Sequence, residues 1–294
     1  MLRVTSQTMM MAAERSLGAG QARLAAAQDR ASSGRRIARP SDDPLGTGDA
    51  LRVHAEIAAT AQYRRNIDNG TAWLTTLDSA LGGATALLRQ VRDLAVQGGN
   101  GSLTPDGKKA LADQVDGARK DLLAAANTQY LGRNVFAGTS DAPSAFIDGA
   151  PPVFNGSPGG SVQRRLSADQ TVRVDADGAA VFGTGAASVF SVLDGIAADL
   201  RSGADPTARL QALDGGIRAV LSGRADVGTR LAQLERAGSD LMAHQTALES
   251  QRSGIEDVDL GKAALDLQLQ QTAYQAALAV TARALPPSLM DFLK

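Results

Sequence analysis

Residues 210–255, LQALDGGIRAVLSGRADVGTRLAQLERAGSDLMAHQTALESQRSGI, contain the longest regular pattern in the chain. Ten of fourteen positions spaced alternately by three and four residues are apolar, and no proline interrupts them. This pattern predicts one long helix with a narrow apolar seam, typical of a coiled coil. At a rise of 1.5 Å per residue the helix would extend about 70 Å, so we expect an elongated rod. The fourteen positions are Leu210, Leu213, Ile217, Val220, Arg224, Val227, Leu231, Leu234, Gly238, Leu241, Gln245, Leu248, Arg252 and Ile255.

A second series with similar spacing lies in the first half of the chain and ends at the Gly-rich turn 98–102. Thr104 and Pro105 then have the residue types of a helix N-cap and a first helical position, as do Asp205 and Pro206 before the long stretch. We expect the helix of residues 210–255 to cover the two earlier helices. Their predicted buried positions are Ile67, Leu74, Leu77, Leu81, Ala84, Leu88, Val91 and Ala95, then Leu111, Val115, Ala118 and Leu122.

Residues 136–190 differ in composition from the rest, because they contain five of the six phenylalanines of the chain. Alternating apolar and polar residues at 162–166 and 171–174 predict short strands of a hairpin, with Asp177-Gly178 as a turn. We therefore predict a mainly α fold: an elongated coiled-coil or helical-bundle rod formed by the N- and C-terminal halves, with a small inserted β-rich domain.

The two ends of the chain have helical periodicity but few bulky apolar residues, at 12–31 and 258–285. Such segments bury too little surface to offset the entropy of ordering, so we expect them to be disordered in the monomer. The predicted domains are 1–44 with 256–294 for the terminal helices, 45–135 with 191–255 for the rod, and 136–190 for the β-rich domain.

The composition excludes several classes of function. The net charge of −1 argues against a nucleic-acid-binding protein, and the absence of cysteine excludes disulfides and Cys-containing zinc sites. The sequence contains no run of 18 apolar residues, so it predicts no membrane-spanning helix. The N-terminus lacks the pattern of a cleaved signal peptide.

None of the polar motifs predicts catalysis or a bound cofactor. The glycines of residues 101–109 lack phosphate-loop spacing, and residues 173–184 lack the final glutamate of a calcium loop. Asp43 before Pro44 is better interpreted as a helix cap. We interpret the acidic cluster 256–259 as a solvated face or a helix junction, without a cationic or histidine partner. Neither His54 nor His244 has a catalytic pattern around it. We expect no enzyme activity, metal or cofactor.

Residues 31–44, ASSGRRIARPSDDP, closely resemble the signature of the bacterial flagellin superfamily. Segments 65–81, 127–139, 227–231 and 255–260 resemble further family elements in the family's order, and 288–293 resemble the ending of its junction proteins. We call residues 32–44 the signature loop. Its matching residues are Ser32, Ser33, Gly34, Arg35, Ile37, Pro40, Ser41, Asp42, Asp43 and Pro44.

The resemblance implies a structural protein of the bacterial flagellum at the hook-filament junction, which connects the first junction protein to the flagellin filament. It also implies self-association in a ring, an export chaperone before secretion, and an extracellular location reached without a cleaved signal peptide. Nucleic acid and membrane are not implied as partners. Two alternatives stay open: a flagellin-type filament subunit, and a cytoplasmic coiled-coil adaptor.

The terminal helices would form the assembly interface. The predicted interface residues are Leu17, Leu24, Leu260, Leu267, Tyr274, Leu278, Leu289 and Phe292. One departure from the family is Pro286-Pro287, which removes two backbone donors and disfavours helical geometry before it, so we expect the last helix to end near Ala284.

Overall fold

The structure is a computed structural model that describes residues 6–284. Helices dominate the described residues, which confirms the predicted mainly α class. The helices are α1 (Ser6–Ser33), α2 (Pro44–Gly98), α3 (Pro105–Ala126), α4 (Gly178–Phe182), α5 (Val189–Ser202), α6 (Leu210–Glu256) and α7 (Leu260–Ala284). The strands are β1 (Gln129–Tyr130), β2 (Arg133–Asn134), β3 (Phe146–Ile147), β4 (Val153–Phe154), β5 (Gln163–Arg165) and β6 (Thr171–Arg173), and they pair as three antiparallel hairpins.

The apolar stripes predicted on α2 and α3 are buried at all twelve positions, and most of these side chains have no exposed surface. Helix α3 begins as expected, with Pro105 in its first turn and the Thr104 hydroxyl accepting a hydrogen bond from the Gly107 N–H at 3.1 Å. That bond satisfies one of the donors that a helix N-terminus leaves free. The 3.6-residue periodicity thus predicted the buried faces of both helices correctly.

Helix α6 has the predicted position and seam. Asp205 caps a short 3-10 turn, Pro206–Arg209, that leads into the helix. Within residues 59–243, Asp78 of α2 pairs with Arg224 at 2.8 Å, and Arg92 pairs with Asp214 at 2.9 Å. These ion pairs flank the buried seam and connect α2 to α6. The buried seam positions are Leu213, Ile217, Val220, Val227, Leu234 and Leu248.

Helix α5 is an element that the sequence pattern did not predict, although residues 191–202 fall in the segment assigned to the helical rod. The apolar side of α5 packs against α3. The Ser188 hydroxyl caps its first turn, and Gly203, at φ 78°, ends it in the left-handed conformation. Its buried residues are Val189, Phe190, Val192, Leu193, Ile196, Ala197 and Leu200.

The phenylalanines of the inserted segment form an aromatic cluster. The ring of Phe182 lies 5.1 Å from that of Phe136 and 5.8 Å from that of Phe146, and Phe146 lies 5.3 Å from Phe190. Edge-to-face and tilted contacts at these distances are favourable beyond the burial of area. The cluster is continuous with the leucine core of the neighbouring helices.

The predicted hairpin is present, but its predicted turn is wrong. Strands β5 and β6 pair with Arg165 opposite Thr171, and the turn between them is closed by a hydrogen bond from the Leu166 N–H to the Gln170 carbonyl at 2.8 Å. Asp177 instead caps α4, because its carboxylate accepts a hydrogen bond from the Ala179 N–H at 3.0 Å. Asp-Gly fits both a turn and a helix start, and the buried Phe182 of α4 favours the helix.

The described residues divide into two compact units. One consists of residues up to Ala58 together with those from His244 onward, and the other is Ala59–Ala243. In the described part of the chain, no helix is long and apolar enough to cross a bilayer.

Candidate assembly surfaces

The signature loop begins where α1 ends. Gly34 has φ 67°, a left-handed conformation that glycine adopts without strain, and its N–H donates to the Arg30 carbonyl at 3.0 Å. The Gly34 carbonyl accepts a hydrogen bond from the Val258 N–H at 2.9 Å, and Arg35 forms a β-bridge with Asp257. The loop therefore pairs with the connection between α6 and α7.

Arg36 caps the C-terminal end of α6. Its backbone N–H donates to the Glu256 carbonyl at 2.6 Å, and its guanidinium donates to the Ile255 carbonyl through Nε at 3.0 Å and Nη2 at 2.7 Å. The last carbonyls of a helix lack partners within the helix, and its C-terminus carries partial negative charge. A cation at this end is favourable for both reasons.

Asp43 caps the N-terminal end of α2, as the sequence predicted. Its Oδ1 accepts a hydrogen bond from the Gly46 N–H at 2.9 Å, while its Oδ2 lies 3.4 Å from Arg36 Nη1. A Cβ at Gly46 would lie 2.5 Å from that same Oδ2 and 2.7 Å from Ile37 Cδ1, so a larger residue here would displace the Asp43 and Ile37 side chains. One loop thus caps the ends of α2 and α6 together.

Replacing Arg36 by alanine is expected to destabilise the unit that contains α1 and α7. The change removes the guanidinium hydrogen bonds to Ile255 and the pair with Asp43, and we expect a loss of about 1–2 kcal/mol. Hydrogen exchange of α1 and α7 in isolated flagella, where these helices are proposed to be ordered, measures the effect. Arg35→Ala is the matched control, since the described residues offer its side chain no ion pair. Equal exchange in the two variants would contradict the assignment.

Glu256 corrects one prediction, since we expected neither a histidine nor a cation near the acidic cluster. His54 Nε2 lies 2.8 Å from Glu256 Oε1, and Arg252 Nη1 lies 3.4 Å from Oε2. Burial raises the pKa of the Glu256 carboxyl, but the hydrogen bond from His54 and the charge of Arg252 outweigh it, so its pKa lies below the ordinary 4.5. His54 and Glu256 are 202 residues apart, so sequence patterns did not predict this pair.

The lowered pKa of Glu256 predicts how the stability of the fold changes at acidic pH. Its ionised form stabilises the fold above the ordinary pKa, and this contribution is lost as the pH falls through the lowered pKa of the folded state. The melting temperature of Glu256→Gln is therefore expected to lie below that of the wild type near pH 6. The difference should narrow as the pH falls through that lowered pKa, because below it both proteins carry a neutral side chain. A constant difference over this range in thermal melts would contradict the pairing.

Helices α1 and α7 pack against each other within their unit. A Cβ at Gly20 would lie 3.3 Å from Tyr274 Cδ2, so the tyrosine ring lies directly on the backbone of α1. The Gly34–Val258 hydrogen bond joins the other end of the pair, which makes the helices antiparallel. The more covered positions of α1 are Ala13, Leu17, Gly20, Leu24, Ala27 and Ala31, and those of α7 are Ala263, Leu267, Gln270, Tyr274, Ala277 and Thr281.

The predicted interface residues divide between two surfaces. Leu17, Leu24, Leu267 and Tyr274 lie half-buried on the packed face of the α1–α7 pair, whereas the side chains of Leu260 and Leu278 are 64% and 42% exposed. The remaining two, Leu289 and Phe292, lie outside the described residues, as does Pro286-Pro287. The expected helix end near Ala284 coincides with the last described residue and stays a prediction.

A third apolar surface was missed in the sequence. Leu265, Leu269 and Val280 of α7 are 63–67% exposed and lie within about 60° of one another around the helix, on the side away from α1. We call these three residues the outer face of α7. The spacing of Leu265 and Leu269, four residues apart, was the signal available in the sequence. Neither leucine is among the predicted buried positions or the predicted interface residues.

The comparison with known families decides what kind of protein carries these surfaces. Residues 4–141 match the bacterial flagellin N-terminal helical region, and residues 210–293 match the bacterial flagellin C-terminal helical region. The chain belongs to the bacterial flagellin family. The matched segments include the signature loop, α1, α2, α3 and α6.

Two types of relative within the family are similar over nearly the whole chain. Flagellar hook-associated protein 3 of Escherichia coli is 28% identical, covering 94% of this chain and 95% of its own. Flagellin of Bacillus subtilis is 27% identical, covering 90% and 91%. The crystal structure of hook-associated protein 3 from Legionella pneumophila has the same fold, with a TM-score of 0.63 at 16% identity, over 70% of this chain and 98% of that one.

The chain therefore has a structural role in the flagellum, as a protein of the bacterial flagellin family. The described residues contain no group of three or more histidine, aspartate or glutamate side chains that could hold a metal ion. The candidate assembly surfaces are the signature loop, the α1–α7 pair and the outer face of α7.

Proposed function

We propose that this protein forms a layer of the flagellum at the hook-filament junction, between the first junction protein and the flagellin filament. The outer face of α7 carries the proposal, because Leu265, Leu269 and Val280 remain exposed after α7 has packed against α1. Exposed apolar surface of this kind marks contact sites with other proteins. The near full-length similarity to hook-associated protein 3 supports the position at the junction.

In this proposal the paired terminal helices of residues 1–44 and 256–294 lie in the axial core and associate with neighbouring copies in a ring. The helices of residues 45–135 and 191–255 lie outside them, and residues 136–190 lie outermost. Disorder of both ends in the isolated monomer stays part of the proposal. A long α-helix stabilised mainly through packing would gain order when neighbours cover its second apolar face.

The proposal places the protein outside the cell. It would be exported through the flagellar apparatus without a cleaved signal peptide, after binding by an export chaperone. Structural support comes from the absence of cysteine in the full sequence, since no disulfide has to form after passage. Catalysis is not part of the proposed role.

A filament subunit is the second candidate function, favoured by the 27% identity to Bacillus subtilis flagellin. Segment 136–139, which resembles the junction proteins, favours the first candidate. It forms the centre of the insert: the Ala137 carbonyl accepts from the Ser157 N–H at 3.0 Å, and the Phe136 carbonyl accepts from the Gly178 N–H at 3.1 Å. A cytoplasmic adaptor is not retained, because the chain belongs to the flagellin family.

Immunogold labelling of intact flagella tests the two candidates against each other. A junction protein gives label in a single narrow band between hook and filament. Label along the whole filament would establish a filament subunit instead. Label absent from flagella, with the protein retained inside the cells, would contradict both.

A further inference from the structure

A groove of about 570 Å³ runs beside the C-terminal half of α1, on the side of the signature loop. Small side chains of α1 form part of its lining, which allows another backbone to approach closely. Four arginines surround this lining, and Arg30, Arg35 and Arg39 are exposed. The small lining residues are Ala22, Ala25 and Ala26 of α1 with Ala38 of the loop.

Three of the four arginines of this groove have no ion-pair partner in the part of the chain that the structure describes. Among the described residues, no carboxylate lies within ion-pair distance of Arg30, Arg35 or Arg39. The groove contains two carboxylates, and one of them, Asp42, is engaged by the N–H groups of Ala38 and Arg39 at 3.2 and 2.8 Å. Residues 6–39 as a whole contain six arginines against two acidic residues.

The opposite charge lies on other elements of the same unit. Residues 45–58 with 244–266 contain seven carboxylates and three basic residues other than histidine. Several of these carboxylates have partners, such as Asp49 with Arg52 and Glu256 with His54. Glu56 of α2 and Glu249 of α6 are exposed, and neither has a cation within ion-pair distance among the described residues.

We propose that the arginine groove binds two exposed carboxylates of a second copy of this chain, Glu56 of α2 and Glu249 of α6. This contact rests on the self-association in the proposed function, and it would be the polar part of the interface between copies. A contact between two different surfaces of one chain is heterologous, which is what a ring of identical copies requires. Complementary charges at its rim select the correct partner and orient it, while the apolar outer face of α7 supplies buried area.

Charge reversal in a strain that lacks the native gene tests the proposal. The variant Arg35→Glu with Arg39→Glu is expected to enter isolated flagella on the order of tenfold less than the wild type, by immunoblot. Glu56→Arg with Glu249→Arg should show a similar loss. Combining all four changes exchanges the charges between the two surfaces and should restore incorporation to within about threefold. Arg89→Glu with Arg218→Glu, in exposed positions of residues 59–243, is the matched control and should incorporate normally.

Circular dichroism and thermal melts of each purified variant separate loss of contact from loss of fold, and a fold defect would not be repaired by remote charge exchange. Normal incorporation of Arg35→Glu with Arg39→Glu would overturn the proposal. A loss that the combined variant does not repair would also overturn it and would assign the groove to an acidic surface of a different flagellar protein. Absence of the wild-type protein from isolated flagella would instead contradict the proposed function itself.

Discussion

Replacing Leu265 and Leu269 of α7 by glutamate is expected to leave the protein folded and to remove it from the flagellum. Both side chains are more than 60% exposed in the single chain, so the change removes little intramolecular packing. In an assembled ring each glutamate would be buried without a partner, which costs several kcal/mol per charge. We expect cells that carry only this variant to lose motility in soft agar, with the protein released into the medium.

The matched control introduces the same two charges elsewhere on α7. Gln271 and Gln275 are exposed, are four residues apart like the two leucines, and lie at least about 80° around the helix from every residue of the outer face. Their double replacement by glutamate is expected to preserve motility to within about a factor of two. Equal loss of motility in both variants would show that charge on α7, rather than its outer face, disrupts assembly. Normal motility of the Leu265 and Leu269 variant would show that the outer face of α7 is not needed for assembly, and would contradict the main argument for the proposed function.

Replacing Phe182 by alanine is expected to cause the largest loss of stability, about 3–5 kcal/mol. The side chain is 1% exposed and its ring contacts those of Phe136, Phe146 and Phe190, so truncation leaves a cavity where three rings meet. Urea denaturation followed by the fluorescence of Trp73, the single tryptophan, measures the change in the free energy of unfolding. Trp73 is itself buried in the same unit.

Ile147→Ala in the neighbouring hairpin is the control for this prediction. Its side chain is 48% exposed on β3, so its truncation is expected to cost less than about 1 kcal/mol. A Phe182→Ala variant as stable as Ile147→Ala would show that the aromatic cluster contributes little to the fold. A shallower transition with an unchanged midpoint would show that unfolding is not a two-state process.

The helical part of the fold was largely predictable because its signal is local and repetitive. The stripes of α2 and α3 are buried at every predicted position, and the stripe of α6 is buried at six of its fourteen positions. Helix α5 escaped detection because it is short and begins within the Phe-rich segment that was interpreted as β-rich. A 14-residue helix has too few turns to outweigh neighbouring composition.

The contacts of the signature loop were not predictable from sequence, since they join residues far apart in the chain. The motif itself was recognisable, but the roles of Arg36 at the end of α6 and of Glu256 beside His54 depend on tertiary structure. The outer face of α7 was missed for a different reason. A helix with two apolar faces has a weak overall periodicity, and an analysis that seeks one stripe assigns only one of them.

A structural role at the hook-filament junction is tested by deleting the gene and examining the cell surface by electron microscopy. We expect hooks that carry no filaments, flagellin shed into the medium, and restoration of filaments by the wild-type gene. Cells with normal filaments, or with short filaments still attached to hooks, would contradict it.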